Sequence, residues 1–173
     1  MTNSPPTAAP ASSALAAIEP LSLDECHALL GRHRLCTMSL VDGEEPYAVP
    51  LFYGFDGTTL HLGLAEGRKT RVLDANSRVC VTVTEVGPGD AWASVMVAGE
   101  AEWLEGAERD ASVKVLMEHN RRIRAAATAA TGAATEAPTQ DAGAPAASAP
   151  QRRHSGGRIL RVRNPVISGR TRR

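Results

Sequence analysis

The chain has 173 residues, and its 19 lysines and arginines balance 19 aspartates and glutamates, so its formal net charge at pH 7 is zero. This length suits one domain with tails, and the charge balance argues against a protein that coats nucleic acid. The apolar runs fall far short of the roughly 20 residues that a membrane-spanning helix needs, which argues against a membrane protein.

The cysteines Cys26, Cys36 and Cys80 stand singly among apolar residues. Their spacing fits neither a zinc site nor the disulfide framework of a secreted protein. We therefore expect a reduced, cytoplasmic protein with no metal site.

Residues 1–20 are the first segment in chain order. They lack the positively charged start of a secretory signal, and we predict a disordered tail. Ser22 then precedes Glu25 by three residues, a spacing that favours a capping box at the start of a helix. This helix is predicted to end at Gly31, which tolerates the left-handed conformation common at helix ends. Its predicted buried residues are Leu23, Cys26 and Leu30.

Consecutive β-hairpins are predicted to follow this helix. Apolar, β-rich runs occupy residues 34–41, 47–55 and 58–64. The first two runs are separated by Asp42-Gly43 and the next two by Asp56-Gly57. Asp-Gly between alternating apolar runs is a strong hairpin signal.

The middle strand of these hairpins contains Pro46 and Pro50. Proline has no N–H to donate to a neighbouring strand. Both ring nitrogens must therefore lie at a sheet edge, at a bulge or facing a ligand.

Residues 67–74 are predicted to form a short helix, and residues 79–86 the next strand. A long strand over residues 92–104 is interrupted by Gly99, where a bulge or bend would let a barrel close. The apolar and charged residues between 108 and 124 segregate as in an amphipathic helix.

Residues 125–157 are dominated by Ala, Thr, Gly and Pro. Because they carry few large apolar side chains, burial would not offset their ordering entropy, and we predict a low-complexity insert. Residues 158–162 alternate apolar and basic residues and are predicted to return to the barrel as a strand, followed by a basic tail. The barrel domain is thus predicted over residues 21–124, completed by residues 158–173.

The start of the second helix combines Gly67 with Arg68 and Lys69. Free N–H groups at a helix start attract anions, and two cations would strengthen the binding of a phosphate. A solvated helix end is the alternative explanation of the same residues.

Several blocks in order resemble the pyridoxamine-phosphate-oxidase-like split-barrel family, in its nitroimidazole-resistance-type branch. The blocks are residues 46–51, His61, residues 67–69, residues 76–83 and residues 94–101. The resemblance implies a mainly β fold, a six-stranded antiparallel split β-barrel with short flanking helices. It also implies bound FMN, a homodimer, and flavin-dependent oxidation or reduction of a small-molecule substrate.

By this resemblance Arg68 and Lys69 hold the FMN phosphate, and the backbone of residues 47–51 lies along the isoalloxazine ring. The segment around Ser94 resembles the part that reaches the cofactor, often the cofactor of the opposite subunit. The implied cofactor-binding residues are Tyr47, Ala48, Val49, Pro50, Leu51, His61, Gly63, Gly67, Arg68, Lys69 and Ser94.

His61 has two alternative roles. The resemblance places it beside the flavin, where a neutral imidazole could donate a proton to a reduced substrate. Alternatively, it is a strand histidine that is hydrogen-bonded in the barrel wall. No residue is therefore assigned as catalytic.

Three alternative functions stay open. The arginine and lysine that flank the flavin strand in vitamin-phosphate oxidases are absent here, which argues against that reaction. The same fold could hold haem or a deazaflavin. A non-enzymatic binding module that holds nucleic acid with its basic tail is disfavoured, because single-strand binders stack bases on exposed aromatic rings and this chain has few.

Overall fold

A computed structural model describes residues 18–132 and 157–172 of the chain. Ten elements succeed one another along these residues. The strands are β1 (Ile18–Pro20), β2 (Leu35–Asp42), β3 (Glu45–Phe55), β4 (Leu60–Leu64), β5 (Arg78–Val86), β6 (Trp92–Leu104) and β7 (Arg158–Arg172). The helices are α1 (Leu23–Arg32), α2 (Arg68–Ala75) and α3 (Gly106–Gly132).

Strands β2 to β7 form a closed antiparallel barrel of six strands. The strand order is β7-β4-β3-β2-β5-β6, and β6 pairs back with β7 to close the ring. Strand β1 adds outside the ring by pairing with the end of β7. The predicted six-stranded, mainly β barrel with flanking helices is confirmed.

Both predicted Asp-Gly hairpins are present. Gly43 at the β2–β3 turn has φ 66°, and Gly57 at the β3–β4 turn has φ 107°, values that glycine adopts without strain. At the second turn the Asp56 carboxylate accepts hydrogen bonds from the backbone N–H groups of Thr58 and Thr59. Turn chemistry that is local in sequence therefore determines both connections.

The pairing of β6 with β7 spans most of both strands and shifts register between Ala98 and Glu100. The shift leaves Gly99 opposite the backbone of β7, where a Cβ atom would lie 2.5 Å from the Arg163 carbonyl oxygen. The irregularity predicted at Gly99 is confirmed, and glycine is required there because the two backbones approach so closely.

The core lies inside the barrel and is filled by every second residue of its strands. Met38, Leu62, Val81 and Leu160 are among its fully buried side chains. Burial raises the pKa of the Cys36 thiol to about 12, so this cysteine is a packing residue at neutral pH.

The first helix begins as predicted and ends later than predicted. The Ser22 hydroxyl accepts the Glu25 N–H, and the Glu25 carboxylate accepts the Ser22 N–H. The predicted end at Gly31 is wrong, since the helix continues to Arg32 and Gly31 does not have a positive φ. Leu23 is 56% exposed, and Leu29 is buried beside Cys26 and Leu30 in its place.

Three elements extend beyond the predicted boundaries. Residues 18–20, predicted as tail, form β1 because they pair with the end of β7, which is distant in sequence. Helix α3 continues past residue 124 to Gly132, and β7 continues past residue 162 to Arg172. The rest of the predicted insert, residues 133–156, lies outside the described residues. None of the described helices is long and apolar enough to cross a membrane.

Candidate functional site

The first eight residues of β3 form an open sheet edge within the described part of the chain. Residues 45–52 pair with β2 on one side, whereas pairing with β4 begins only at Tyr53. The Tyr53 N–H donates to the Arg34 carbonyl oxygen beside β2 at 3.0 Å. Because successive residues of a strand direct their N–H groups to opposite sides, the even-numbered residues face the open edge.

This alternation places the ring nitrogens of Pro46 and Pro50 at the open edge, as the sequence requires. The backbone donors left there are the N–H groups of Ala48 and Phe52, next to a row of carbonyl oxygens. Such an edge is a poor template for another strand, because the prolines remove alternate donors. A small ligand with its own donors and acceptors can use it.

The side chains of this segment divide between the two faces of the sheet. Tyr47, Val49 and Leu51 are half-buried and pack against the core. Ala48 and Pro50 point outward and are exposed. The predicted residues 47–51 therefore offer a ligand their backbone and an uncharged surface.

The start of α2 lies beside this edge. Arg68 donates to Asp42 at 2.7 Å and to Glu45 at 3.3 Å, and its guanidinium lies 4.5 Å from the centre of the Tyr47 ring. These hydrogen bonds hold the pKa of Arg68 above its usual value. The structure thus brings together Arg68 and Tyr47, with Arg68 already neutralised by two carboxylates.

Lys69 differs from its neighbour, since it makes no hydrogen bond or ion pair within residues 18–132 and 157–172. It precedes the buried residues Val72 and Leu73 by three and four positions and therefore starts on the barrel-facing side of α2. Its side chain is half-buried. A half-buried lysine beside the N–H groups of a helix start, without a partner in the described part of the chain, is suited to an anion.

Gly67, also predicted to contact cofactor, is the residue that precedes α2. Its N–H donates to the Thr70 hydroxyl at 3.0 Å, and Thr70 is buried. This contact fixes the entry of the chain into the helix.

His61 and Gly63 do not join this group. The His61 ring nitrogens lie 2.9 Å from the Ser112 hydroxyl of α3 and 3.1 Å from the Asp56 carboxylate, and the residue is only 7% exposed. Gly63 lies under α3 as well, where a Cβ atom would come within 3.7 Å of Leu116. The contacts of His61 are those of the alternative role, a histidine hydrogen-bonded in the barrel wall.

Ser94 lies on the outer face of β6 and pairs in register with Thr84 of β5. Strands β2 and β5 separate it from β3, a distance of about 14 Å at the usual strand spacing of nearly 5 Å. One chain therefore does not bring Ser94 to the edge formed by residues 45–52.

Sequence reasoning missed Arg71 and a cavity beside it. Arg71 follows Arg68 by three residues, so both lie on one face of α2. That face and the β2–β3 turn enclose about 360 Å³. The cavity is lined from the helix by Arg68, Arg71, Val72 and Ala75, and from the turn by Val41 and Asp42. The spacing of the arginines was visible in the sequence, but the opposing turn was not.

Comparison with known proteins agrees with this architecture. A sequence profile described as pyridoxamine 5'-phosphate oxidase matches residues 22–147, more than half of the chain. The chain belongs to this family. The predicted resemblance is thereby confirmed, while no curated protein matches the sequence.

Solved structures of this family superpose on the chain. An FAD-binding protein from Mesorhizobium loti is 28% identical, with a TM-score of 0.62 over 90% of this chain and 99% of that one. A candidate 5-nitroimidazole antibiotic resistance protein from Bacteroides thetaiotaomicron is 18% identical, with a TM-score of 0.60 over 90% and 89%.

An FAD and haem binding protein from Mycobacterium smegmatis is 19% identical, with a TM-score of 0.61 over 87% and 71%. The two less similar structures establish the shared fold alone.

Among the described residues, one outer face of the barrel carries no charged side chain. The face, here called the neutral face, runs from β3 across β2 and β5 to β6 and β7. Met96 at its centre is 48% exposed. Its other residues are Ala48, Pro50, Thr37, Ser39, Cys80, Thr82, Ala98, Val166 and Ser168. The neutral face adjoins the open edge of β3.

Proposed function

We propose that this protein binds a flavin through the part that FMN and FAD share, and that it is a flavin-dependent oxidoreductase acting on a small molecule. The observation that carries the proposal is the half-buried Lys69 at the start of α2, beside the open edge of β3, which has no ion-pair or hydrogen-bond partner among the described residues. The known proteins with this fold support it, because they include FAD-binding proteins.

The residues present fit the two chemically distinct ends of the cofactor. Lys69 and the free N–H groups of the first turn of α2 would hold the phosphate. The Ala48 N–H and the neighbouring carbonyl oxygens would hydrogen-bond the polar edge of the isoalloxazine ring, and the flat, uncharged surface of residues 48–50 would contact it. A bound flavin supplies the electron transfer.

The chain's own contribution would be to bind, orient and exclude water. Tyr47 and Leu51 fix β3 to the core, and Arg68 ties the β2–β3 turn to α2 through Asp42 and Glu45. These contacts fix the distance between the start of α2, which would hold the phosphate, and the edge of β3, which would contact the ring. Such preorganisation lowers the entropy cost of binding.

We also propose that the protein is a homodimer in which two neutral faces pack together. An uncharged face is suited to burial against a copy of itself, since no charge has to be desolvated. Ser94, which is remote from β3 in its own chain, could then reach the cofactor held by the partner.

The experiment begins with the visible absorption spectrum of the purified protein, before and after incubation with FMN. We expect the flavin absorption bands to sharpen and the flavin fluorescence to be quenched on binding. A Soret band would indicate haem, which a protein of this fold from Mycobacterium smegmatis binds. A protein that takes up neither would contradict the proposal.

Fluorescence titration of variants then tests the site. Lys69 has no partner within residues 18–132 and 157–172, whereas Arg68 is already paired with Asp42 and Glu45. Lys69→Ala is therefore expected to weaken FMN binding about tenfold, and Arg68→Ala by less. Lys114→Ala removes an exposed lysine of α3 and serves as the matched control. Equal FMN affinity of Lys69→Ala and the control would exclude Lys69 from the phosphate site.

A further inference from the structure

A second cavity lies between α1 and the ends of β5, β6 and β7. Its volume of about 510 Å³ lies within the range of small-molecule sites. We propose that this space, here called the α1 cavity, binds a small monocarboxylate with an apolar body, and that Arg172 holds the carboxylate. The inference does not depend on flavin binding, because none of the described residues that line the α1 cavity belongs to the proposed flavin site.

Apolar side chains from α1 and β6 line much of the α1 cavity. Helix α1 contributes Ala28 and Leu29, and Leu21 lies just before this helix. Strand β6 contributes Trp92 and Ala93. The apolar body of a ligand gains affinity by leaving water for such a surface, and an aromatic ring can stack on the indole.

Arg172 is the residue that selects an anion. Its side chain is 23% exposed, and its Nε is buried and has no hydrogen-bond partner among the described residues. Its ion pair is long, since Nη2 lies 3.4 Å from a carboxylate oxygen of Asp90, whose side chain is 85% exposed. Because a buried donor without an acceptor is unfavourable, a ligand carboxylate that accepts from Nε would remove this cost.

The other charged residues of the α1 cavity limit the charge of the ligand. The Glu85 carboxylate accepts from the Arg32 guanidinium at 2.6 Å, so these two charges compensate each other. The Glu25 carboxylate accepts from the N–H and the hydroxyl of Ser22. Two wall carboxylates repel a dianion such as a phosphate monoester more strongly than a monoanion. Arg172 supplies the charge that a single carboxylate needs.

Isothermal titration calorimetry tests the α1 cavity with 4-phenylbutanoate as the probe. The neutral 4-phenylbutan-1-ol and the dianion phenyl phosphate are its counterparts. We expect saturable binding of 4-phenylbutanoate, and binding of the two counterparts that is weaker by about tenfold or more. The proposal is overturned if 4-phenylbutanoate does not bind, or if the alcohol binds equally well.

Two variants and a matched control locate the binding site. Arg172→Met removes the cation, and we expect it to weaken 4-phenylbutanoate binding about tenfold without changing the affinity for the alcohol. Arg170→Met removes an exposed arginine of the same strand and is the matched control. Ala28→Trp fills the cavity from an exposed position of α1 and should abolish the binding of both compounds.

Melting temperatures of the same proteins separate binding from folding. If Arg172→Met does not fold, Ala28→Trp decides, and 4-phenylbutanoate binding that persists in Ala28→Trp overturns the assignment. Equal losses in Arg172→Met and Arg170→Met would show an effect of net charge and would exclude Arg172 as the anchor. FMN titration should be the same for all three variants, so a failure of this inference leaves the proposed flavin site standing.

Discussion

At the scale of single residues, polar side chains of α3 attach this helix to the barrel. His119 is fully buried, and its Nε2 donates to the His33 carbonyl oxygen at 2.7 Å. Asn120 donates to the Tyr53 carbonyl oxygen at 2.8 Å. Because Arg122 lies beside the other ring nitrogen of His119, the histidine accepts there and is neutral.

Burial is the main reason why the pKa of His119 lies below its usual value, although the hydrogen bond to His33 opposes this effect. The unfolded chain therefore binds a proton at a higher pH than the folded chain does. The contribution of His119 to stability is complete above the unfolded pKa of about 6.5 and falls as the pH drops through that value.

We accordingly predict that thermal stability falls between pH 7 and pH 5, and that His119→Gln flattens this dependence. Glutamine can donate to the His33 carbonyl oxygen but does not titrate. Melting temperatures of wild type and variant across this range provide the measurement. His27→Gln, a change at a half-buried histidine of α1, is the control, and equal slopes for all three proteins would rule out His119 as the titrating group.

At the scale of elements, the contact between α3 and the barrel depends on Gly54 of β3. A Cβ atom at this position would lie 2.6 Å from the Leu116 Cα and 2.9 Å from its backbone nitrogen. Backbone atoms cannot move aside as a flexible side chain can. The hydrogen bonds of His61 to Ser112 and of Asn120 to Tyr53 both require this close approach.

We predict that Gly54→Ala lowers the free energy of unfolding by about 2 kcal/mol, because overpacking displaces α3 and its buried hydrogen bonds. Chemical denaturation measures the loss. Gly31→Ala is the matched control: nothing lies within 4 Å of its Cβ position, and alanine in a helix is favoured by about 1 kcal/mol. A Gly54→Ala variant as stable as Gly31→Ala would contradict the packing seen here.

Sequence reasoning predicted those elements whose signals are local. The Asp-Gly turns and the Ser22–Glu25 capping box depend on residues within four positions of one another. The full length of β7 could not be predicted, because residues 163–165 interrupt its alternation and its partner β6 is distant in sequence. Strand β1 forms by pairing with β7, a contact that composition does not reveal, so its residues were predicted to belong to a tail.

The same distinction between local signals and distant contacts applies to the candidate site. The basic start of α2 and the proline-containing strand are visible as short motifs. Which of the two cations forms ion pairs is not visible in the sequence, because it depends on the fold. The β2–β3 turn reaches Arg68, whereas Lys69 has no partner among the residues that the structure describes. His61 illustrates the same limit, because its partners Asp56 and Ser112 are fixed by the docking of α3.

At the scale of the whole molecule, the neutral face and the open edge of β3 are continuous. In a single chain the face exposes Met96 and Val166 to water, and exposed apolar patches bounded by polar residues mark interaction surfaces. A second copy would cover the face and bring its own Ser94 toward the flavin. Cofactor binding and dimerisation are then linked, because each stabilises the other by mass action.

This linkage predicts the behaviour of Met96→Arg. An arginine at the centre of the neutral face would be buried without a partner in the dimer, which costs several kcal/mol and favours the monomer. Met117→Arg places the same charge on α3, where the methionine is 66% exposed, and is the matched control.

Sedimentation velocity over a dilution series, with and without flavin, should show wild type and Met117→Arg as dimers and Met96→Arg as a folded monomer. The monomer should retain less flavin, and wild-type occupancy should fall on dilution wherever the dimer dissociates. A wild-type monomer that keeps stoichiometric flavin at every concentration would refute the dimer and leave a site built from one chain.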